Sequence, residues 1–355
     1  MATAPTYLQT NQLHRAPAFS LVIDGRDISK RVEPRLVQLT LTESRGDEAD
    51  QLDITLDDSD GRMAIPSKGA TIALSLGWAS TGLVDKGTFM VDETEHTGAP
   101  DQIRITARSA DMSKTLRTRA SGSWHDTTVG QVVRDIAARN NLPARIDPQL
   151  AARKVQHIDQ TNESDLHFCT RLARQHDAVC TVKKGQLVFL RTNSRTNASG
   201  QTLQALLITR SSGDQHRYHT AERTTYTGVR AYWHDAGSAK RKGVLAGTDV
   251  DVKVLKDTYA SEEDALTAAR AEMQRVDRGA ATLSLTLALG RPALMPQTPV
   301  SVQGFKPEID GSEWLVKTVE HALGDSGFTA SLELELQGSG DAEAGADEDG
   351  GADGE

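Results

Sequence analysis

The feature that most constrains this chain is an internal repeat. Thr71 to Trp78 reads T-I-A-L-S-L-G-W and Gly87 to His96 reads G-T-F-M-V-D-E-T-E-H. Near the other end, Thr298 to Phe305 reads T-P-V-S-V-Q-G-F and Ser312 to His321 reads S-E-W-L-V-K-T-V-E-H. Within this block Phe89 matches Trp314, Val91 matches Val316, and Glu95-His96 matches Glu320-His321, all at an offset of 225. Trp78 and Phe305 close the preceding segment of each copy. Extended at the same offset, Ile103, Ile105 and Ala107 fall on Phe328, Ala330 and Leu332, so each copy ends in an alternating strand. The pattern predicts one β-domain present twice, with other structure between the copies. Three chains of this kind would present six equivalent surfaces.

A length of 355 residues suits two or three domains. With 37% hydrophobic residues and only 4% aromatic ones, several modest β-cores are expected rather than one large core. No run approaches the roughly 18 apolar residues of a membrane span, and Met1 to Gln12 lacks the basic and apolar regions of a signal peptide. Cys169 and Cys180 have neither metal nor redox spacing, the pattern of a reducing cytoplasm. The net charge is −9, but the segment from Gly338 carries seven acids (Asp341, Glu343, Asp347, Glu348, Asp349, Asp353, Glu355) and no base. Without them the body stands at −2, which gives no electrostatic footprint for nucleic acid. The Gly/Ala/Asp/Glu composition of that tail predicts disorder.

Period-two alternation at Val37, Leu39 and Leu41, at Leu52, Ile54 and Leu56, at Ile72, Leu74 and Leu76, and at Ile103 and Ile105 predicts half-buried antiparallel strands. From Ser121 to Leu190 the texture changes. Val129, Val132, Val133, Ile136 and Ala137 follow a helical stripe, with Asp126 as the expected cap. A second helix is expected from Asn162, burying Leu166, Cys169, Leu172 and Ala173, and then a hairpin of Val179–Val182 and Leu187–Leu190 around Lys183-Lys184-Gly185. Thr192 to Gly200 reads as a linker, and Gly237 to Gly243, with Lys240-Arg241-Lys242, as a solvated loop. Strands are expected at Val229, Ala231 and Trp233 and at Val250, Val252 and Val254. Ser261-Glu262-Glu263-Asp264 opens a helix with Leu266, Ala269, Met273 and Val276 on its apolar face. The domains expected are an arm over 1–18, a β-domain over 19–118, an α/β insert over 119–192, a second β-domain over 193–336 and an acidic tail over 337–355.

No motif carries catalysis. Ser123, His125 and Asp126 have the letters of a triad, yet neighbours in sequence do not converge on one substrate atom. His216 and His219 lack a nearby third ligand. Glu95-His96 and Glu320-His321 lie on strands whose adjacent side chains point to opposite faces. Asp57 to Gly61 lacks carboxylates at both ends of a calcium loop and reads as a turn. There is no phosphate loop and no nucleophile elbow. Catalytic, cofactor and metal sites are all expected to be absent.

Several segments together resemble the phage late control protein D family: D-G-R-D-I-S (Asp24 to Ser29), L-T-E-S-R-G-D-E-A-D-Q-L-D-I-T-L (Leu41 to Leu56), R-S-A-D-M (Arg108 to Met112), S-W-H-D-T-T-V-G (Ser123 to Gly130), H-I-D-Q-T-N-E-S-D (His157 to Asp165), R-L-A-R (Arg171 to Arg174) and S-G-F-T-A-S-L-E-L-E (Ser326 to Glu335). The resemblance spans about residues 20 to 336. The stretch after Trp233 is brief, where family members can carry a long Lys/Arg-rich insertion.

The resemblance implies a mainly β fold with an α/β insert. Two tail-tube-like β-barrels, related by duplication, would flank the insert, as in the N-terminal part of VgrG spikes. It implies the baseplate hub of a contractile tail, a structural homotrimer joining a central spike protein to the hexameric tail tube protein and nucleating tube assembly. Its other partners would be baseplate proteins, with no nucleic acid and no stable membrane insertion. The place implied is the virion tail baseplate, assembled in the host bacterial cytoplasm. The alternatives are the hub of a phage-derived bacteriocin or type VI-like injection device, and a peptidoglycan-degrading baseplate enzyme, for which no paired carboxylates stand out.

Overall fold

A computed structural model describes residues 16–338 except 47–48, 110–113, 184, 195–202, 221–225 and 236. The expected arm up to residue 15, residues 110–112 of the R-S-A-D-M motif, Lys184 of the hairpin turn, the linker from 195 to 200 and the acidic tail from 339 lie outside the described residues.

The first alternating segments become β1 (Pro17–Ile23), β2 (Arg26–Asp27), β3 (Leu36–Ser44), β4 (Gln51–Asp57), β5 (Thr71–Trp78), β6 (Gly82–Thr97) and β7 (Gln102–Ser109). Their inward residues, Leu39, Leu41, Leu52, Ile54, Ile72, Leu74, Ile103 and Ile105, are each at most 2% exposed and form one core. The insert contains β8 (Arg119–Thr128), β9 (Ala144–Ile146), β10 (Lys154–Ser164), β11 (Ala178–Lys183) and β12 (Gln186–Arg191). Helices Val129–Arg139 and Asp165–Gln175 pack there, with Val133, Ile136, Phe168, Leu172 and Phe189 at their own core. The remainder contains β13 (Leu206–Thr209), β14 (Gly213–Thr220), β15 (Gly228–Asp235), β16 (Lys240–Gly247), β17 (Val252–Tyr259), β18 (Ala281–Leu287), β19 (Pro299–Gln303), β20 (Trp314–Gly324) and β21 (Gly327–Leu336).

The class is mainly β, with a small α/β unit between two related β regions. Both regions lie in one thirteen-stranded sheet of the described residues, in the order β14-β18-β21-β20-β3-β4-β7-β6-β5-β1-β2, with β19 attached to β20 and β13 to β19. The neighbour order β3-β4-β7-β6-β5 of the first region recurs as β14-β18-β21-β20-β19 in the second. Leu52, Ile54 and Leu56 of β4 correspond to Leu283, Leu285 and Leu287 of β18, all buried. Hairpins β6–β7 and β20–β21 both carry a bulge, between Val91 and Glu93 in one and between Val316 and Thr318 in the other. The bulges respect the offset of 225, but the returning strands do not. Val91 pairs with Ala107 and Val316 with Leu334, an offset of 227. Ile103, Ile105 and Ala107 therefore match Ala330, Leu332 and Leu334, correcting the constant-offset extension. The second hairpin is two residues longer around its turn.

Neither region closes on itself as a barrel among the described residues. The outer half of β20 pairs with β3 of the other region, so hydrogen bonds that closure would need are made between repeats. Several local expectations also shift. Thr128, not Asp126, caps the first insert helix by accepting from the Gln131 amide, and Ser164 caps the second by accepting from that of His167. Asp126 and Asn162 instead take positive φ values of 44° and 49° in the strands before those helices. The helix Glu262–Gly279 starts at Ser261 as expected, but its fully buried residues are Ala265, Ala268, Ala269, Ala271 and Arg278 rather than Leu266, Met273 and Val276. It packs on β15 and β16 of a separate sheet, β16-β15-β17. Lys240-Arg241-Lys242 is no loop but the start of β16, with Arg241 3.9 Å from the Tyr232 ring centroid and Lys242 5.5 Å from that of Trp233. Val250 lies outside β17 and is 85% exposed.

Candidate functional site at the joint between the repeats

The repeat positions divide into three environments. Phe89 and Val91 lie in the first core, and Trp314 and Val316 in the second, where the Trp314 indole N–H donates to the Ile309 carbonyl at 3.1 Å. Phe305 packs at the margin of that second core, 5.1 Å from the His216 ring. Trp78 belongs to the first region but reaches the second. Its indole N–H donates to the Gly290 carbonyl at 3.0 Å, and its ring centroid is 5.3 Å from that of Phe328. Glu95 and His96 are exposed, His96 Nε2 lying 3.5 Å from the buried Asp58 carboxylate. Glu320 is exposed and pairs with Thr42 across the joint, whereas His321 is completely buried. The repeated Glu-His dipeptide thus occupies two different settings, and its acid and base never face one substrate.

His321 belongs to the most buried polar cluster of the joint. Lys86 of β6 donates to Glu43 Oε2 at 2.7 Å and to the Leu294 carbonyl at 3.1 Å, and lies 3.0 Å from His321 Nε2. Lys86 has three N–H donors, and these three acceptors match them when the His321 proton sits on Nδ1. That nitrogen has no hydrogen-bond partner among the described residues. Burial alone would raise the Glu43 carboxyl, but the neighbouring Lys86 charge, with that of Lys183, outweighs it and brings it down to about 2. Burial, helped by the Lys86 charge, pushes the His321 imidazole down, so it stays neutral against the lysine. The cluster joins β3 and β6 of one region to β20 of the other.

A second network brings in the insert. Arg278, 2% exposed at the end of helix Glu262–Gly279, grips Asp177 of the insert through two nitrogens, one at 2.8 Å. Its Nε lies 3.3 Å from Glu335 Oε1 on β21, a charge contact without hydrogen-bond alignment, and Glu335 also pairs with Arg45 beyond β3. Lys183 of the insert pairs with the buried Asp50. Sequence reasoning missed Glu43, Lys86, Asp177, Arg278 and Glu335. A signal existed for two of the joint's polar groups. Glu43 continues the inward phase Leu39, Leu41, and His321 stands between Val319 and Leu323 on the inward phase of β20.

Among the described residues, the strands equivalent to β20 and β3 have open edges. Beyond Val91, β6 has β7 on one side and no strand on the other among the described residues. Among the described residues β14 has β18 on one side and no strand on the other, and Gln215 to Thr220 are exposed, Tyr218 at 37%. The β6 edge carries Asp92, Glu93 and Glu95; β14 carries His216, Arg217 and His219. Among the described residues no three His, Cys, Asp or Glu side chains are placed to hold a metal ion, and no helix is long and apolar enough to cross a membrane. Cys169 and Cys180 are buried free thiols.

Comparisons with known proteins identify the family of this duplicated β architecture. The family described as phage tail baseplate hub (GPD) matches residues 35–327. The probable baseplate hub protein of Escherichia phage 186 is 43% identical over 91% of this chain and 93% of its own length. That of Escherichia phage P2 is 42% identical over 90% and 93%. The chain belongs to the phage tail baseplate hub family. Its fold is similar to the 43 kDa tail protein of prophage MuSo2 from Shewanella oneidensis (TM-score 0.67, 16% identity, 90% of this chain and 98% of that one). It is also similar to the E. coli c3393 protein, a component of the type VI secretion system (TM-score 0.55, 16% identity, 88% and 76%).

Proposed function

We propose that this baseplate hub acts as a homotrimeric ring of six β repeats, seated between the central spike and the hexameric tail tube. The observation that supports this reading is the in-chain joint. There β20 of one repeat pairs with β3 of the other, Glu320 opposite Thr42 and His321 opposite Leu41. The strands equivalent to β20 and β3 in the other repeat are β6, open beyond Val91, and β14. A head-to-tail contact of this kind continues until it closes. Transferring the in-chain register places His96 of one copy opposite Tyr218 of the next, Glu95 opposite His219 and Thr97 opposite Arg217. An acidic edge then meets a basic one. Two repeats per chain make six in a trimer, the number that matches a hexameric tube on one face while retaining threefold symmetry for a spike on the other.

In this role the chain works by assembly and by transmitting force, without catalysis. It caps the spike, nucleates the tube in the host cytoplasm and travels with the tail as part of the virion. The test is cross-linking in register. A chain carrying His96→Cys and Tyr218→Cys is expected to give covalent dimers and trimers on oxidation, because directly opposed strand residues lie within disulfide reach. Either single variant should give none above dimer. Efficient cross-linking of the off-register pair Asp92→Cys with Tyr218→Cys, and none of the in-register pair, would sink the proposal.

A further inference from the structure

Between the insert and helix Glu262–Gly279 lies a cleft of about 290 Å³. Arg153 from the insert and Arg270 from the helix line it, and neither has a carboxylate partner among the described residues. Arg191 lines it too, bonded to Asp147 at 3.0 Å. The one acid in the wall, Asp177, is taken by Arg278. The wall therefore carries an excess of positive charge. In this wall, desolvation of the half-buried His176, with the Arg153 charge adding to it, draws the imidazole down to about 4.

The C-terminal segment leaves the fold at this cleft. The Gln337 carbonyl accepts from Asn193 Nδ2 at 2.5 Å, and Asn193 is itself part of the cleft wall. Its Oδ1 is buried without a hydrogen-bond partner. The chain then continues into seven acids and no base between Asp341 and Glu355. Asp341 is three residues past Gly338, within about 10 Å of chain reach, and the full segment extends several times further. A tether this short holds its charges near the cleft at about millimolar effective concentration.

We infer that the acidic C-terminal segment docks in this cleft of its own chain, its carboxylates pairing with Arg153 and Arg270. The contact fastens the insert to helix Glu262–Gly279 from outside, beside the buried Arg278–Asp177 pair. Being exposed and electrostatic, it releases with salt and to a competing polyanion.

The experiment is a distance measurement on the full-length chain. Nitroxides are placed at Gln149→Cys on the exposed cleft rim and at Gly350→Cys in the segment, the native thiols being buried. At low salt the distance distribution should contain a short, narrow component. It should fall at least tenfold in amplitude in the Arg153→Glu/Arg270→Glu variant and above about 0.5 M salt. Changing Asp347, Glu348 and Asp349 to lysine in that variant should restore it. Circular dichroism melting confirms that the exposed substitutions leave the fold intact. A distribution that is broad at low salt, or a short component that survives the charge reversal, overturns the inference. So does a short component that vanishes on dilution with unlabelled protein, which would put the segment on a neighbouring copy.

Discussion

Replacing Lys86 with methionine leaves Glu43 buried without its cation, and the structure sets the size of the effect. The Glu43 carboxyl is held at about 2 against an ordinary 4.5, a displacement of about 2.5 pH units. At about 1.4 kcal/mol per unit this is about 3 kcal/mol of stability. The usual penalty for stranding one member of a buried ion pair, roughly 3–5 kcal/mol, agrees. Because the folded-state value is depressed, this stability is fully present above about pH 4.5 and is lost as pH falls towards 2. Lys86→Met should therefore be about 3 kcal/mol less stable than the parent in urea denaturation at pH 7, with the gap narrowing steadily between pH 4.5 and 3. Lys86→Met combined with Glu43→Gln should recover a large part of the loss, since no buried charge remains. A penalty under about 1 kcal/mol at pH 7, or one that is unchanged at pH 3, would refute the claim that a buried ion pair anchors the polar cluster at the joint.

Trp78→Ala removes the indole that reaches the Gly290 carbonyl and Phe328, and should cost about 3–5 kcal/mol by denaturation. Gly290→Ala places a Cβ 2.8 Å from the Phe328 ring and should cost about 1–3 kcal/mol, relieved when Phe328→Leu is added. Arg278→Met strands Asp177 and leaves Glu335 to Arg45 alone, and should loosen the insert first, seen as faster amide exchange in the helix Asp165–Gln175 than in β4 and β7. Cys169 and Cys180 are buried, and the hydrogen bond with the neighbouring Cys180 thiol, with burial, raises Cys169 well above its ordinary value, so the folded chain should resist thiol reagents at pH 8 and expose two reactive thiols in denaturant.

Period-two alternation was readable wherever one strand face is apolar, as in Leu52, Ile54 and Leu56. Helix starts were readable to within a few residues, because several residues near each start can cap and only the backbone decides among them. Asp126 and Ser164 illustrate the choice: the first takes a positive φ, the second accepts the amide bond. The ribbon of β8 and β10 was not readable. Its outward face is polar and only scattered residues such as Trp124, Val155 and Ile158 turn inward, so no alternation announces it. The pairing of β20 with β3 joins residues nearly 280 positions apart, and no local pattern encodes a partner. The repeat was visible because Phe89, Val91, Trp314 and Val316 pack in equivalent cores, whereas the two extra residues in the second hairpin were hidden by the compensating alternation of its returning strand. The joint itself was legible only as misplaced polarity, Glu43 and His321 on apolar phases, and its lysine lies on a different strand of the same sheet.

Open edges of β6 and β14 are proposed to close chains into a ring of six repeats. Light scattering on the purified chain, alone and mixed with its cognate spike protein, measures this directly. Such a ring gives three times the chain mass, or a three-to-three complex on mixing, that collapses to monomer when Tyr218 is replaced by proline in β14. A monomer indifferent to the spike, or a trimer untouched by that proline, would contradict it.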